Sequence, residues 1–374
     1  MVSDPVPLQS LSRALVVKLR HHGDVLLASP VFSVLRQHAP QLEIDALAYA
    51  DTLPMLEGHP DIVQAHGVGR GWKELDLAAR LAAELALFKR LRARRYDLIV
   101  HLSEHPRGAW LARALGARYA VAPAQAAKGK SWRRSFSHLY AAPSNARRHT
   151  VERNLDALRR IGVQPGVDAR ALTLVPGAEA EAQAGALLAG AGLSGGDFLH
   201  LHPASRWQFK CWSAERNAEL LRRLHAGGHR LVLTAAPDAR ERAFVADILA
   251  RAGVPALDLS GQLDLRTLAA LAGRARLFVG VDSAPMHIAA AMGTPVVALF
   301  GPSGELEWGP WGVASRVVAS GAHPCRPCGI DGCGGSKVSE CLTTLPTQHV
   351  LDAIEELLAL APGAATAGAP ARGT

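Results

Sequence analysis

Ala14-Leu15-Val16-Val17-Lys18, then Leu19-Arg20-His21-His22-Gly23, then an amphipathic run from Asp24 to His38, is the stretch that decides the fold. Its first four residues are apolar, two of them β-branched, without polar alternation, and Lys18 closes the run. A parallel strand buried on both faces has this pattern. The same order of strand, loop and helix recurs. Ile44-Asp45-Ala46-Leu47-Ala48 reads as a second strand, residues 73–95 place leucine, alanine and charge at helical spacing, and Tyr96 to Leu102 is a further strand. Strands alternating with helices in this way predict a doubly wound sheet.

Composition shifts toward Gly, Ala and Pro over residues 163–198, as in VQPGVDAR and AGAGLSGGD, and a domain boundary is placed after residue 170. A second alternating set follows. Strands are expected at Phe198 to His202, Leu231 to Thr234, Arg276 to Gly280 and Pro295 to Phe300. Helices are expected from Ser213, as N-cap, to His225, from Asp238 to Ala252, and over residues 347–360. The reading is an α/β protein of two Rossmann-like domains, 1–170 and 171–361, facing across a cleft, with a disordered tail at 362–374. Ligands bind at the carboxyl ends of strands in open α/β sheets, so motifs at those ends carry the functional argument.

With 49% apolar and 20% charged residues in 374, the chain is a folded protein rather than a disordered one. No run approaches the roughly 20 apolar residues that a membrane helix needs. The start, MVSDPVPLQSLSR, lacks the basic and apolar blocks of a secretory signal, so a cytoplasmic protein is expected. The net charge of +8 is mostly arginine, gathered at Lys89, Arg90, Arg92, Arg94 and Arg95, at Lys128, Lys130, Arg133 and Arg134, and at Arg147 and Arg148. These patches either attract polyanions or are an arginine-biased solvated surface.

The segment Gly280 to Ser303, GVDSAPMHIAAAMGTPVVALFGPS, is the most informative in the second half. A strand ends at Gly280, Asp282 or Ser283 can cap the next helix, and Pro285 suits its first turn. The N–H groups of Ala284, Met286 and His287 would then form a phosphate-binding helix start. Asp282 either holds a sugar hydroxyl or serves with Ser283 as a cap alone.

This segment resembles the signature of glycosyltransferase family 9, the ADP-heptose heptosyltransferases of lipopolysaccharide inner-core assembly. The runs VVKLRHHGDVLLASPVFSVLRQHAP, DTLPMLEGHPDI and HPASRWQFKCWSAERNAELLRRL are most similar to the heptosyltransferase III branch. The resemblance implies an inverting transferase taking heptose from ADP-heptose to an inner-core heptose on a lipid A carrier. It also implies peripheral attachment to the anionic inner face of the inner membrane. Nucleic acid is not an expected partner.

On that resemblance Asp24 is the catalytic base that takes the acceptor proton, the structural alternative being an N-cap. Lys18, Arg20, His21 and His22 fall in the acceptor-side loop, the two histidines being either phosphate contacts or merely exposed. Lys210 resembles the family's diphosphate-binding lysine, and Ser205 and Arg206 can add a hydroxyl and a guanidinium fork. His287 faces the diphosphate or sugar, or is a core residue. Trp207 and Trp212 are read as packing rather than as adenine platforms. No Asp-x-Asp pair is placed to hold a divalent ion, so no cofactor is required for catalysis. Cys325, Cys328, Cys333 and Cys341 either close a structural zinc site or bind nothing.

Overall fold

The computed structural model describes residues 5–124, 129–143 and 147–360. The expected tail at 362–374 and Lys128 lie outside the described residues. The chain divides into two compact units, Met1–Gly177 and Ala178–Thr374. The division falls later than the expected boundary after residue 170, because the intervening segment belongs to the first unit: the Thr173 N–H donates to Ser29 Oγ and Leu174 is buried.

In the first unit the described strands are β1 (Arg13–Lys18), β2 (Glu43–Tyr49), β3 (Gln64–Val68), β4 (Leu98–His101), β5 (Tyr119–Pro123) and β6 (His138–Tyr140). All pair in parallel in the order β3-β2-β1-β4-β5-β6. The helices are α1 (His22–Leu26), α2 (Ser29–His38), α3 (Leu77–Arg94), α4 (Pro106–Ala114), α5 (Gly129–Arg133) and α6 (Thr150–Arg160). The helix expected from Asp24 to His38 is thus two. Pro30 lies in the first turn of α2, where its missing N–H is tolerated, whereas inside a continuous helix it would break the hydrogen-bond ladder.

Leu15, Val17, Leu47 and Ile99 of this sheet pack with Leu87, Leu91 and Trp132 from the helices. Beneath them Asp45 is fully buried and accepts hydrogen bonds from the Arg94 guanidinium and the Tyr96 hydroxyl. Burial pushes its carboxyl up, but bonds from His66, Arg94 and Tyr96 outweigh that and bring it to about 2. Arg94 is therefore an internal counter-ion and leaves the basic surface patch to which the sequence assigns it.

The second unit opens with α7 (Ala178–Gly190) and continues through β7 (Phe198–His202), α8 (Ala214–Ala226), β8 (Arg230–Leu233), α9 (Ala239–Ala252), β9 (Leu257–Asp258), α10 (Leu265–Ala272), β10 (Leu277–Val281), α11 (Ala284–Ala291), β11 (Val296–Phe300), α12 (Glu305–Trp308), β12 (Ser315–Ala319), α13 (Glu340–Thr343) and α14 (Thr347–Leu360). Its strand order, β12-β11-β10-β7-β8-β9, is the same arrangement as in the first unit, again all parallel. Ser213 and Asp238 cap α8 and α9, each accepting first-turn N–H bonds. Apolar clusters cover both faces of the sheet, one around Leu201, Val279 and Leu299, the others around Phe198 and Phe278.

In each unit the strand order reverses direction once, between β1 and β4 and between β7 and β10. Side chains leaving the carboxyl ends of those strands are where such sheets bind ligands.

Candidate functional site

In the first unit β1 ends on Lys18 and the chain turns into α1. Asp24 is the third residue of α1, whose N-cap position is His21. The capping alternative for Asp24 is therefore not realised. Its carboxylate is 3.6 Å from the Arg20 guanidinium and remains 12% exposed. Gly23, read from the sequence as the last residue of the loop, is instead part of the helix, and its carbonyl accepts the Leu27 N–H.

Lys18 departs from its expected place among acceptor contacts. It is 7% exposed, and its Nζ donates to Leu102 O at 3.1 Å and to Asn154 Oδ1 at 2.9 Å. Asn154 in turn donates through Nδ2 to Leu27 O, so β1, β4, α6 and the end of α1 are tied by one buried network. Burial lowers the lysine to about 8, opposed by the nearby Asp24. His22 lies 2.9 Å from Asp51 O, and His21 is exposed.

A further group, without a sequence signal, completes this end of the sheet. Arg70 donates to both oxygens of Asp51 and to Arg20 O, and lies over the Tyr49 ring at 3.9 Å. Beside β1, His101 is buried and held neutral, burial lowering it to about 3. A side chain at position 108 would collide with its ring at 2.2 Å, so Gly108 allows α4 to begin there.

In the second unit β7 and β10 deliver the donor-side residues. Lys210 Nζ donates to Asp282 Oδ2 at 2.5 Å, with the lysine 22% and the aspartate 7% exposed. Two residues separated by 72 positions are thus joined across the point where the strand order reverses. Asp282 is not a helix cap. Ser283 occupies the N-cap position of α11, but its hydroxyl donates back to Val281 O and no side-chain cap bond forms. The expectation of three available N–H groups needs correction, because the Met286 N–H donates to Ser283 O. His287 is buried.

Ser205 is partly exposed and its Oγ accepts the Trp207 N–H. Arg206 is exposed, with its guanidinium 5.4 Å from the centre of the Trp207 ring. The two tryptophans differ: Trp212 is core and donates to Leu345 O, whereas Trp207 is exposed. Behind this end of the sheet, His200 and His202 share the Thr234 hydroxyl at 2.7 and 2.8 Å. Burial lowers them to about 3 and about 4, so both rings are neutral near neutral pH. A side chain at position 280 would meet the Phe278 ring at 2.7 Å and His202 O at 3.0 Å, so only glycine fits where β10 passes β7.

Cys325, Cys328 and Cys333 are exposed and Cys341 is buried, all as free thiols. Among the described residues no group of three or more His, Cys, Asp or Glu side chains is arranged to hold a metal ion. Burial pushes the Cys341 thiol up, and Cys333, Cys328 and Cys325 lie near enough to act on it electrostatically.

The pattern of the glycosyltransferase family 9 (heptosyltransferase) matches residues 84–337. The chain belongs to glycosyltransferase family 9. Lipopolysaccharide heptosyltransferase 3 of Escherichia coli is 36% identical over 295 residues, which is 78% of this chain and 84% of that protein. The crystal structure of a family 9 glycosyl transferase from Veillonella parvula DSM 2008 superposes with a TM-score of 0.81 at 23% identity, covering 96% of this chain and 100% of that one. E. coli heptosyltransferase WaaC, solved with ADP-2-deoxy-2-fluoro heptose, gives a TM-score of 0.67 at 20% identity over 92% and 99% of the two chains. This family 9 member is accordingly a glycosyltransferase with two Rossmann-like units. No helix among the described residues is long and apolar enough to cross a membrane.

Proposed function

We propose that this transferase moves heptose from ADP-heptose to an inner-core heptose of lipopolysaccharide, with inversion at the anomeric carbon, while docked on the anionic inner face of the inner membrane. The observation that carries the reading is the Lys210–Asp282 pair at the strand-order reversal of the second unit, beside the start of α11. A diphosphate needs a cation held in place before it arrives, and Asp282 fixes the lysine without enclosing it. As charge builds on the leaving β-phosphate, Lys210 shifts its hydrogen bond toward it, and Asp282 is freed to accept from a sugar hydroxyl. Arg206 adds a second cation nearby.

In the first unit Asp24 is the group to take the proton of the attacking hydroxyl. Inversion needs one base and one displacement: the acceptor oxygen bonds to the anomeric carbon, its proton passes to the carboxylate, and ADP leaves with the bonding pair. Arg20, 3.6 Å from that carboxylate, sets a guanidinium beside it.

Calorimetry with ADP, UDP and GDP, without added metal, tests the donor half. Preference for ADP that is lost in Lys210→Ala supports the reading. Preference for UDP or GDP moves the protein to another donor sugar. Absence of binding to all three removes the enzyme reading of this pair.

A further inference from the structure

α3 is amphipathic in the opposite sense from a core helix. Leu87 and Leu91 anchor its C-terminal half in the sheet's core, and Glu84 accepts from Arg107 of α4. Its first turns stand clear of the unit. Leu77, Leu81 and Leu85 recur every fourth residue along the outward side and are 72%, 53% and 55% exposed. On neighbouring α4, Trp110 is 50% exposed with its ring 5.3 Å from that of Phe88. Past the leucines the helix turns basic, with Lys89, Arg90 and Arg92 all exposed. Asp76, at the other end, is used as the N-cap.

A leucine stripe turned to solvent is what a globular helix avoids, and a patch of this kind marks an interaction surface. We propose that the outward side of α3, with Trp110, is a membrane-seating surface. Its three leucines and the tryptophan would enter the headgroup–acyl boundary of an anionic phospholipid bilayer while Lys89, Arg90 and Arg92 contact the phosphates. Charge selects this occupant. An apolar stripe ending in a cluster of cations with no free carboxylate between them matches an anionic interface. The proposal deepens the membrane-docked transfer reading by naming the surface that docks, and it rests on that reading for its purpose only.

The test is co-sedimentation of the full chain with phosphatidylglycerol-containing vesicles and with pure phosphatidylcholine vesicles. Binding to the anionic vesicles is expected, weakening as salt rises. The Leu77→Gln/Leu81→Gln/Leu85→Gln variant should lose about ten-fold or more in partitioning at every salt concentration. Lys89→Gln/Arg90→Gln/Arg92→Gln should lose mainly the salt-sensitive part. Because the leucines are exposed, the first variant should keep the wild-type melting temperature and transfer to a detergent-dispersed acceptor undiminished. Vesicle binding unchanged by the leucine substitutions overturns the proposal. So does a wild-type dimer in light scattering that the same substitutions convert to monomer. Loss of transfer with vesicle binding intact would count against the function and not against this surface.

Discussion

The two units have the same strand order and each places a lysine at the reversal of its sheet, yet the two lysines are set to opposite uses. Lys18 in the first is sealed in, bonded to a carbonyl and an amide with no carboxylate as direct partner. Lys210 in the second is partly open and bonded to the carboxylate of Asp282. A cation paired with an anion at the surface is stabilised before a ligand comes and can exchange partners when it does. A cation buried among neutral acceptors cannot leave, and instead fixes the backbone that carries Asp24. Topology thus provides equivalent places, and the neighbouring acceptor decides whether the lysine there stays partly open or braces the backbone.

The comparison is broken most severely at the residue that Lys18 braces. Asp24→Asn is expected to lower the rate of heptosyl transfer by about 10²–10⁴-fold, with ADP binding by calorimetry unchanged; undiminished transfer would take Asp24 out of the mechanism. The next effect is on stability. The unfolded chain keeps Lys18 protonated up to 10.5, whereas the fold releases that proton near 8, so between these values the unfolded chain holds more protons. Stability therefore rises with pH through this window, being reduced by about 3 kcal/mol at most below it. Urea titrations across the range should show the rise in the wild type and its absence in Lys18→Met.

Lys210→Ala should weaken ADP binding by about ten- to a hundred-fold, as loss of a charge-assisted bond does. Asp282→Asn should weaken it less, because the lysine remains but is no longer held; equal losses would mean that Asp282 contacts the nucleotide itself. The smallest effect separates two helix starts in the same unit. Asp238 accepts two N–H bonds and its change to Ala should cost about 1 kcal/mol, whereas Ser283→Ala, without a cap bond to lose, should cost under about 0.5 kcal/mol in the same denaturation experiment.

What could be read from the sequence follows from how each element is buried. β1, β7 and β10 are covered on both faces, so Ala14 to Val17 and the whole of β10 appear as apolar runs, while β7 carries only the buried His200 and His202 among its apolar residues. The edge-side strands β3 (Gln-Ala-His-Gly-Val) and β12 (Ser-Arg-Val-Val-Ala) are half-covered and lack that signal. Asp24, Lys210 and Asp282 were named as candidates from their motifs, but the pairing of the last two and the Lys18–Asn154 bond join residues 72 and 136 positions apart, which no local pattern encodes. Arg70, in Gly-Val-Gly-Arg-Gly-Trp, had no signal because its role comes from the loop bringing it to Asp51. The leucines of α3 gave a correct helix, while helical spacing alone does not say which side of a helix meets water.

The cysteines, free thiols in this structure, leave a chemical handle. Three free thiols crowd one exposed loop at Cys325, Cys328 and Cys333, whereas burial pushes Cys211 up to about 12 and Cys341 is enclosed. Maleimide chemistry at neutral pH would therefore modify that loop of the second unit and spare the other two sulfurs. A fluorophore could be placed there in the unmutated protein, on the same unit as Lys210 and Asp282, without removing a single native cysteine.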